Sequence, residues 1–228
     1  MKKLILVTKK IKKFNHKITV EGDKSLSIRF ALLASQASGK STAYNLLRSD
    51  DVNSTLNCLK KLGVKIKFKN NCCEILGNGI NSFKYKRNLV LNLGNSGTLG
   101  RLLLALLIRS PYKIKLIGDQ SLSKRDFSRV ILPLRKFGAN FYPKNKKTLP
   151  IHIKGTNFLR PIEYFEKRAS AQVKSCIMLG ALNSPGITRI IAKKSRNHTE
   201  ILFKYLKIPI SVRKTKNFDF IKVNGKKN

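Results

Sequence analysis

Acidic residues, histidine and cysteine are scarce in this chain of 228 residues, and tryptophan is absent. Only 11 Asp and Glu stand against 48 Lys and Arg, which gives a formal net charge of +37. Basic chains of this kind accumulate on polyanions. The lysines are nevertheless spread along the sequence in pairs, whereas nucleic-acid-binding modules concentrate their charge on one face. The charge therefore predicts non-specific nucleic-acid binding at most, and a basic nucleic-acid-binding domain stays open as an alternative.

The cysteines are too few and too poorly spaced for a disulfide framework or a metal centre. They are Cys58, Cys72, Cys73 and Cys176. None belongs to a C-x-x-C motif, and no histidine lies at zinc-ligand spacing from them, so we expect no metal site. Four reduced thiols are typical of a cytoplasmic protein, and we expect that location here.

Long apolar runs are missing as well. Residues 4–8, which separate two lysine pairs, are too short for the core of a signal peptide. The apolar run at 102–108 is far shorter than a membrane span. We therefore expect no association with a membrane.

What the sequence does contain is one construction made three times. Ser25, Ser96 and Ser170 each open an apolar helix, and they lie 71 and 74 residues apart. A short strand, a polar turn and a second, amphipathic helix follow each of them. The second helices are predicted at 51–62, 127–137 and 198–206. This period is longer than that of the common solenoids, so it predicts three β-α-β-α-β units of an α/β fold.

The repeats divide the chain into a short leading segment and one domain. Residues 1–20 are predicted to be an extended segment with short strands at 4–7 and 18–20. Residues 21–228 are predicted to form a substrate-binding domain of three repeats, at about 21–87, 88–151 and 152–223. A turn is expected at Ser38 and Gly39, and strands at 65–68, 72–76 and 89–93.

Turns rich in glycine, hydroxyl groups and basic residues precede the apolar helices. Glycine allows a tight turn, and the amino terminus of a helix presents backbone N–H groups and partial positive charge to an anion. Arginine binds phosphate and carboxylate in bidentate fashion, and lysine acts as a mobile point charge. Three such helix ends around a pseudo-threefold axis would converge on one anionic ligand.

Five ordered stretches resemble the signatures of the 5-enolpyruvylshikimate-3-phosphate (EPSP) synthase family. They are Gly-Asp-Lys-Ser-Leu-Ser-Ile-Arg (22–29), Leu-Gly-Asn-Ser-Gly-Thr (93–98) with Arg101, Gly-Asp-Gln-Ser-Leu-Ser-Lys-Arg (118–125), Ser-Ala-Gln-Val-Lys-Ser (170–175) and Ser-Arg-Asn-His-Thr-Glu (195–200). The resemblance implies one domain of the enolpyruvyl transferase fold, an inverse α/β barrel with helices packed inside and sheets outside. It also implies transfer of the enolpyruvyl group of phosphoenolpyruvate to the 5-hydroxyl of shikimate 3-phosphate, without any cofactor.

The same resemblance assigns roles to individual residues. Lys24 is expected to contact both substrates and to be catalytic, and Gln172 is expected to lie between them. The residues implied for shikimate 3-phosphate are Lys24, Ser25, Arg29, Ser170, Ala171, Gln172, Ser195 and Arg196. Those implied for phosphoenolpyruvate are Lys24, Asn95, Gly97, Arg125 and Gln172. His198 is expected to begin a helix rather than to take part in catalysis.

The chain resembles only the amino-terminal half of that family. Its members have two similar domains with the active site between them, and residues 1–20 would belong to the other, mostly absent domain. The Asp that accepts the proton in the family has no counterpart here. We therefore expect that activity needs a second half or a second chain. A sister transferase that acts on UDP-N-acetylglucosamine is disfavoured, since no cysteine here lies in a comparable loop, and an inactive remnant stays open.

Overall fold

The computed structural model describes residues 9, 10, 13, 15, 17–69 and 72–225. The first repeat contains α1 (Lys24–Ala34), β1 (Ser38–Tyr44), α2 (Asp50–Lys61), β2 (Lys65–Lys69) and β3 (Cys72–Asn78). The second contains β4 (Val90–Asn92), α3 (Gly97–Leu106), β5 (Ile114–Ile117), α4 (Gln120–Ser123), α5 (Ser128–Phe137), β6 (Asn140–Tyr142) and β7 (Ile151–Lys154). The third contains β8 (Glu163–Glu166), α6 (Ala171–Ala181), β9 (Ile187–Lys193), α7 (His198–Tyr205), β10 (Ile210–Lys214) and β11 (Phe218–Asn224).

Each repeat forms its own sheet. The second has the strand order β4-β5-β7-β6, and the third has the equivalent order β8-β9-β11-β10. In both, the first strand runs parallel to its neighbour and the remaining pairs are antiparallel. The first sheet has only three strands among the described residues, in the order β1-β3-β2.

Three helices, α1, α3 and α6, occupy the interior. Their sequences are apolar on nearly every side, as expected for a helix surrounded by protein. In α3 every residue except Arg101 is buried, and in α6 the whole run from Val173 to Ala181 is buried. The second helices, α2, α5 and α7, are amphipathic and bury one face each, which gives the α/β arrangement that the sequence predicts.

Each inner helix begins at a side-chain cap. Asp23, Ser96 and Ser170 accept hydrogen bonds from the backbone N–H groups of Leu26, Leu99 and Val173. Such caps satisfy N–H groups that have no partner inside the helix. The cap of α1 is Asp23 rather than the Ser25 that the sequence suggested, because Ser25 already lies within the first turn.

Some predicted elements differ from the structure. Residues 18–20 form no strand, since within the described chain they have no neighbouring strand to complete a ladder. The turn expected at Ser38 and Gly39 is instead the start of β1, where Gly39 adopts a positive φ of 96°. The strand predicted at 4–7 lies outside the described residues.

The repeating unit is also larger than predicted. The second and third repeats read β-α-β-α-β-β, apart from the short α4, with one strand more than the predicted unit. The predicted division between 151 and 152 falls inside β7, which pairs with both β5 and β6 in the second sheet. That division therefore belongs after Lys154.

Burial in the interior also determines the reactivity of the cysteine thiols. All four cysteines are free, and burial raises the pKa of Cys58 to about 12 and that of Cys73 to about 11. Cys176 is fully buried in α6, and this burial raises the pKa of its thiol. Buried thiols with raised pKa values are poor nucleophiles.

Among the described residues, no helix combines the length and apolar character that crossing a membrane requires.

Candidate anion-binding site

The amino-terminal ends of the inner helices meet at one end of the domain. Gln172, in the first turn of α6, donates from Nε2 to Thr98 Oγ1 in the first turn of α3 at 3.0 Å. One turn further along, Arg29 of α1 donates from Nη2 to Ser175 Oγ of α6 at 3.1 Å. The opposite ends also lie together, since Asn183 after α6 donates to the carbonyl of Ala105 in α3 at 3.4 Å, and Leu33 of α1 and Leu182 after α6 line one groove. The three helices therefore run in the same direction, and their partial positive charges add at this end.

Arg101 and Gln172 join α3 to α6 at the centre of this end. Arg101 Nη1 donates to Gln172 Oε1 at 3.0 Å and to the carbonyl of Gly97 at 3.2 Å. Its guanidinium also lies 5.2 Å from the centre of the Phe127 ring. Burial lowers the pKa of Arg101, and the nearby Arg125 and Arg129 lower it further. The carboxylate of Asp126 raises it again, so three guanidinium groups share one neighbouring carboxylate and the positive charge is only partly neutralised.

The loop between α4 and α5 brings an exposed arginine, Arg125, to the loop before α3. Arg125 Nη2 donates to Asn95 Oδ1 at 3.1 Å, and Asn95 Nδ2 donates to Asp119 Oδ2 at 2.7 Å. A Cβ atom on Gly97 would lie 2.8 Å from Arg101 Nη1 and 3.2 Å from Arg125 Nη1. Glycine at this position is thus what lets the two guanidinium groups approach the helix terminus together.

Arg29 is the buried counterpart of Arg125. It is 5% exposed and donates to Thr199 Oγ1 at 2.8 Å, to the carbonyl of Ser25 at 3.0 Å and to Ser175 Oγ. Burial lowers the pKa of Arg29, the carboxylate of Glu200 raises it, and the neighbouring Arg196 lowers it again. The side chain is therefore fixed by neutral groups on three segments of the chain.

Lys24 is held at the outer rim of the site. Its Nζ lies 2.9 Å from Asp51 Oδ2, and its side chain is 51% exposed. Ser25 follows it in the first turn of α1 and is half-buried. An exposed ion pair of this kind is weak, so Lys24 can exchange Asp51 for an anionic ligand at little cost.

The third repeat contributes two loops. Glu166 accepts hydrogen bonds from the backbone N–H groups of Arg168 and Ser170, at 3.0 and 2.9 Å, and so holds the loop that leads to Ser170 and Ala171. Before α7, Ser195 Oγ is buried without a hydrogen-bond partner among the described residues, whereas Arg196 is exposed. His198 is the first residue of α7, as predicted.

A buried ion pair joins the elements that carry this region of the site. Lys174 Nζ lies 2.5 Å from Glu200 Oε1 and 3.8 Å from Asp219 Oδ2, and the Lys174 side chain is 0% exposed. Glu200 directly follows Thr199, one of the partners of Arg29. The pair therefore links α6, α7 and β11 behind the buried arginine.

Eight of the eleven predicted residues fall into two groups in space. Lys24, Ser25 and Arg29 lie in the first two turns of α1 with Arg196 near Arg29, and Asn95, Gly97, Arg125 and Gln172 lie around the start of α3. The other three are Ser170 and Ala171 at the start of α6 and Ser195 in the loop before α7. Thr98, Ser175 and Thr199, which the sequence motifs did not mark as site residues, are hydrogen-bond partners of this set. The sequence did contain a signal for these three residues, since each carries a hydroxyl group and lies one to four residues from a predicted site residue.

The chain matches the family model described as EPSP synthase (3-phosphoshikimate 1-carboxyvinyltransferase) over residues 8–228. The chain belongs to the EPSP synthase family. It is 41% identical over 186 residues to 3-phosphoshikimate 1-carboxyvinyltransferase of Lactococcus lactis, a match that covers 81% of this chain and 43% of the relative. The Streptococcus mutans enzyme is 41% identical over 189 residues, with 82% and 44% covered.

A solved EPSP synthase from Acinetobacter baumannii has the same fold. It superposes with a TM-score of 0.83 at 35% identity, and the match covers 92% of this chain and 47% of the solved chain. The predicted family and fold class are therefore confirmed. The chain spans less than half the length of these EPSP synthases, in agreement with the expectation that it corresponds to one half.

Proposed function

We propose that this chain supplies one half of the active site that transfers the enolpyruvyl group of phosphoenolpyruvate to the 5-hydroxyl of shikimate 3-phosphate. In that reaction the hydroxyl oxygen forms a bond to the enol carbon, and the bond from that carbon to the phosphate oxygen breaks. The convergence of five family motifs on the amino-terminal ends of α1, α3 and α6 carries the proposal. The four free thiols support action in a reducing cytoplasm.

The chemistry of the site fits two substrates that each carry a phosphate and a carboxylate. In our proposal Lys24, Ser25, Arg29, Ser170, Ala171, Gln172, Ser195 and Arg196 bind shikimate 3-phosphate. Lys24, Asn95, Gly97, Arg125 and Gln172 bind phosphoenolpyruvate. Charge-assisted hydrogen bonds of this kind are about twice as strong as neutral ones. Since the charges are already in place, they stabilise the negative charge that develops during transfer without reorganising.

The proton acceptor is the part that this half does not provide. Asp51 is paired with Lys24, and Asp119 accepts from Asn95 and caps α4. Glu166, Glu200 and Asp219 are buried in supporting contacts. Asp23 caps α1, and Asp126 accepts two hydrogen bonds from Ser128. A base must lie within hydrogen-bond reach of the hydroxyl that it deprotonates. We therefore assign that role to the complementary half.

Titration calorimetry at low salt tests the binding part of the proposal. We expect weak but measurable binding of shikimate 3-phosphate by this chain, weakened by Lys24→Ala and abolished by Arg29→Ala. Arg189→Ala is the matched control, because Arg189 pairs with Glu163 at an exposed site on the third sheet. If inorganic phosphate competes as well as shikimate 3-phosphate, the site is only a general anion site and the proposal is wrong.

Phosphate release tests the catalytic part. We expect no turnover from this chain alone, and detectable turnover once the complementary half of the Lactococcus lactis relative is added. Lys24→Ala should abolish that turnover, whereas Arg189→Ala should leave it intact, because Arg189 pairs with Glu163 at an exposed site on the third sheet. Turnover by the unaided chain that is lost on Lys24→Ala would contradict the division of roles.

A further inference from the structure

The outer faces of the three sheets differ in charge. On the first and third sheets one carboxylate of that face forms an ion pair, Glu74 with Lys40 at 3.2 Å and Glu163 with Arg189 at 3.0 Å. The four strands of the second sheet contain no Asp or Glu. The positive charge that is spread along the sequence is therefore not balanced by carboxylates on this sheet.

The alternation of buried and exposed residues shows which side chains form the outer face of the second sheet. Every second residue of its strands is apolar and buried. The residues that alternate with them point outward, and they include Lys115, Tyr142, His152 and Lys154. The strand register places Lys115 opposite His152 and His152 opposite Tyr142, so these three side chains form a row across the sheet.

Two exposed tyrosine rings border this face, and each is held beside a cation. Tyr142 is 43% exposed, and Lys113 Nζ lies 5.2 Å from the centre of its ring. Tyr112, shortly before β5, is 39% exposed, and the guanidinium of Arg87 lies 5.0 Å from the centre of its ring. Tyr85 meets Tyr112 edge to face, with the ring centres 6.2 Å apart. Since the protein already orders both rings, a ligand that stacks on them does not have to order them.

Both rings line one groove. Its volume is about 520 Å³, and its walls also include Arg87, Lys113 and Lys154. Pockets for small organic ligands have volumes of about 300–1,000 Å³, so the groove has room for one nucleotide unit. It combines aromatic rings with several cations, which is the chemistry that a base and its phosphate require.

The charges on this face act on one another. Burial lowers the pKa of His152, and the charges of Lys113, Lys115 and Lys146 lower it further. Residues 127–162, which contain β6 and β7, include no Asp or Glu that would oppose this effect. The face therefore attracts anions, and a polyanion can contact several of its cations at once.

We propose that the outer face of the second sheet binds single-stranded RNA, with bases stacked on Tyr112 and Tyr142 and phosphates against Arg87, Lys113 and Lys154. A four-stranded sheet with exposed aromatic side chains and helices on its other side suits unpaired bases. Stacking does not depend on the identity of the base, so binding is independent of sequence. The bases of a duplex are stacked on one another and do not reach the rings.

Two exposed amides favour RNA over DNA. Asn88 lines the groove, and Asn140 lies opposite Lys154 in the strand register. An amide can donate to the 2′-hydroxyl group and accept from it, and only RNA carries that group. A second copy of this chain is a poor occupant, because its own face would bring the same positive charge.

This face and the candidate anion-binding site lie at opposite ends of β5. Lys113 directly precedes the strand, whereas Asp119 follows it and bonds to Asn95 in the loop before α3. RNA on the outer face therefore leaves the anion-binding site open. The inference does not depend on the proposed catalytic function.

Fluorescence anisotropy with a labelled oligouridine tests the proposal. A strand of about 12 nucleotides is within the site sizes of single-strand binders. At physiological salt we expect a dissociation constant of roughly 10⁻⁶–10⁻⁴ M, which is typical of binding without sequence specificity. Tyr112→Ala and Tyr142→Ala should each weaken binding by about fivefold or more, the contribution of one stacked base.

Matched variants separate stacking from a change in folding. Tyr112→Phe and Tyr142→Phe keep the rings and should bind as the parent does. Tyr205→Ala is the control for the loss of an exposed tyrosine, since Tyr205 is 79% exposed beside Lys204 on α7. It should not change the affinity for oligouridine.

Salt dependence identifies the phosphate contacts. Lys113→Ala should reduce the slope of log affinity against log salt by about 0.7, the value for one phosphate contact on a single strand. Tyr142→Ala should leave the slope unchanged. Lys222→Ala removes the same charge from the outer face of the third sheet, and it should change neither affinity nor slope.

Three outcomes would overturn the proposal. The first is parental affinity when Tyr112→Ala and Tyr142→Ala are combined. The second is equally tight binding of an RNA duplex, or of a deoxyuridine strand, of the same length. The third is competition by phosphoenolpyruvate or loss of RNA binding in Arg125→Ala, because either result would place the RNA in the candidate anion-binding site.

Discussion

The two sides of the candidate site are built differently. Around α1 and α7, Arg29 is buried and makes three hydrogen bonds, and the ion pair of Lys174 and Glu200 lies behind it. Around α3, Arg125 is exposed and its guanidinium donates to Asn95 alone in the described structure. One side is thus fixed by folding, whereas the other is free to adapt. Ligand binding at the first side does not have to order the side chains, because folding has already ordered them, and the entropic cost of binding there is smaller.

The largest effect is expected from breaking the support of the buried side. Lys174→Met leaves Glu200 and Asp219 buried without their cation, and loss of one partner of a buried ion pair costs about 3–5 kcal/mol. Urea unfolding should show this loss. Lys204→Met is the control, because Lys204 is exposed on α7 and its replacement should change stability by less than about 0.5 kcal/mol. Equal stability of the two variants would contradict a structural role for the buried pair.

A smaller loss of stability is expected when Arg29 itself is removed. Arg29→Ala deletes three hydrogen bonds and leaves Thr199 and Ser175 to pair only with each other, at 2.7 Å. Hydrogen bonds to charged groups contribute about 1.5–3 kcal/mol, so we expect a loss of that order in the free energy of unfolding. Arg125→Ala, by contrast, should leave the free energy of unfolding within about 0.5 kcal/mol of the parent.

The position of these residues in the sequence predicted which of them meet, but not how deeply each is buried. The repeat identified three equivalent helices, and the side chains near their first turns do come together. Arg29 and Arg125 occupy the same place in their motifs, because each is the eighth residue of a stretch that begins with glycine. Contacts with α6 and α7 bury Arg29, whereas Arg125 lies in an exposed loop.

Other features depend on contacts that no local pattern contains. Residues 18–20 alternate apolar and polar side chains as a strand does, but a strand needs a partner, and the described chain supplies none to this segment. Lys174 looks like an ordinary basic residue within an apolar helix. Its burial becomes tolerable only because Glu200 and Asp219 reach it from α7 and β11, 26 and 45 residues further along the chain.

On the exposed side, a substitution should change ligand affinity and not the stability of the fold. In the enzyme complemented with the second half of a relative, Arg125→Ala should weaken phosphoenolpyruvate by roughly one to two orders of magnitude, since a charge-assisted bond contributes about 1.5–3 kcal/mol. The affinity for shikimate 3-phosphate should change much less. Titration of each ligand separately would measure this, and equal weakening of both would remove the distinction between the two sides.

The smallest effect is expected from protonation of Asp126, an exposed carboxyl group next to Arg125, in acid. Asp126 accepts from the hydroxyl of Ser128 at 2.8 Å and from its backbone N–H at 2.6 Å, and the first of these contacts contributes most to lowering the pKa of Asp126 below its usual 3.8. A carboxyl group with a lowered pKa stabilises the fold above its unfolded pKa, and that contribution disappears as the pH falls through the folded pKa.

The stability difference between the parent and Asp126→Asn should therefore be present at neutral pH and vanish in acid. Because Asp126 is exposed, the difference should stay below about 1 kcal/mol. Urea midpoints at pH 7 and pH 3 measure it, with Glu163→Gln as the control, since the Glu163 side chain is 73% exposed and bonds to Arg189 on the surface. A difference that persists unchanged in acid would show that Asp126 acts through its shape and not through its charge, and the loop beside Arg125 would then be fixed by packing like the buried side.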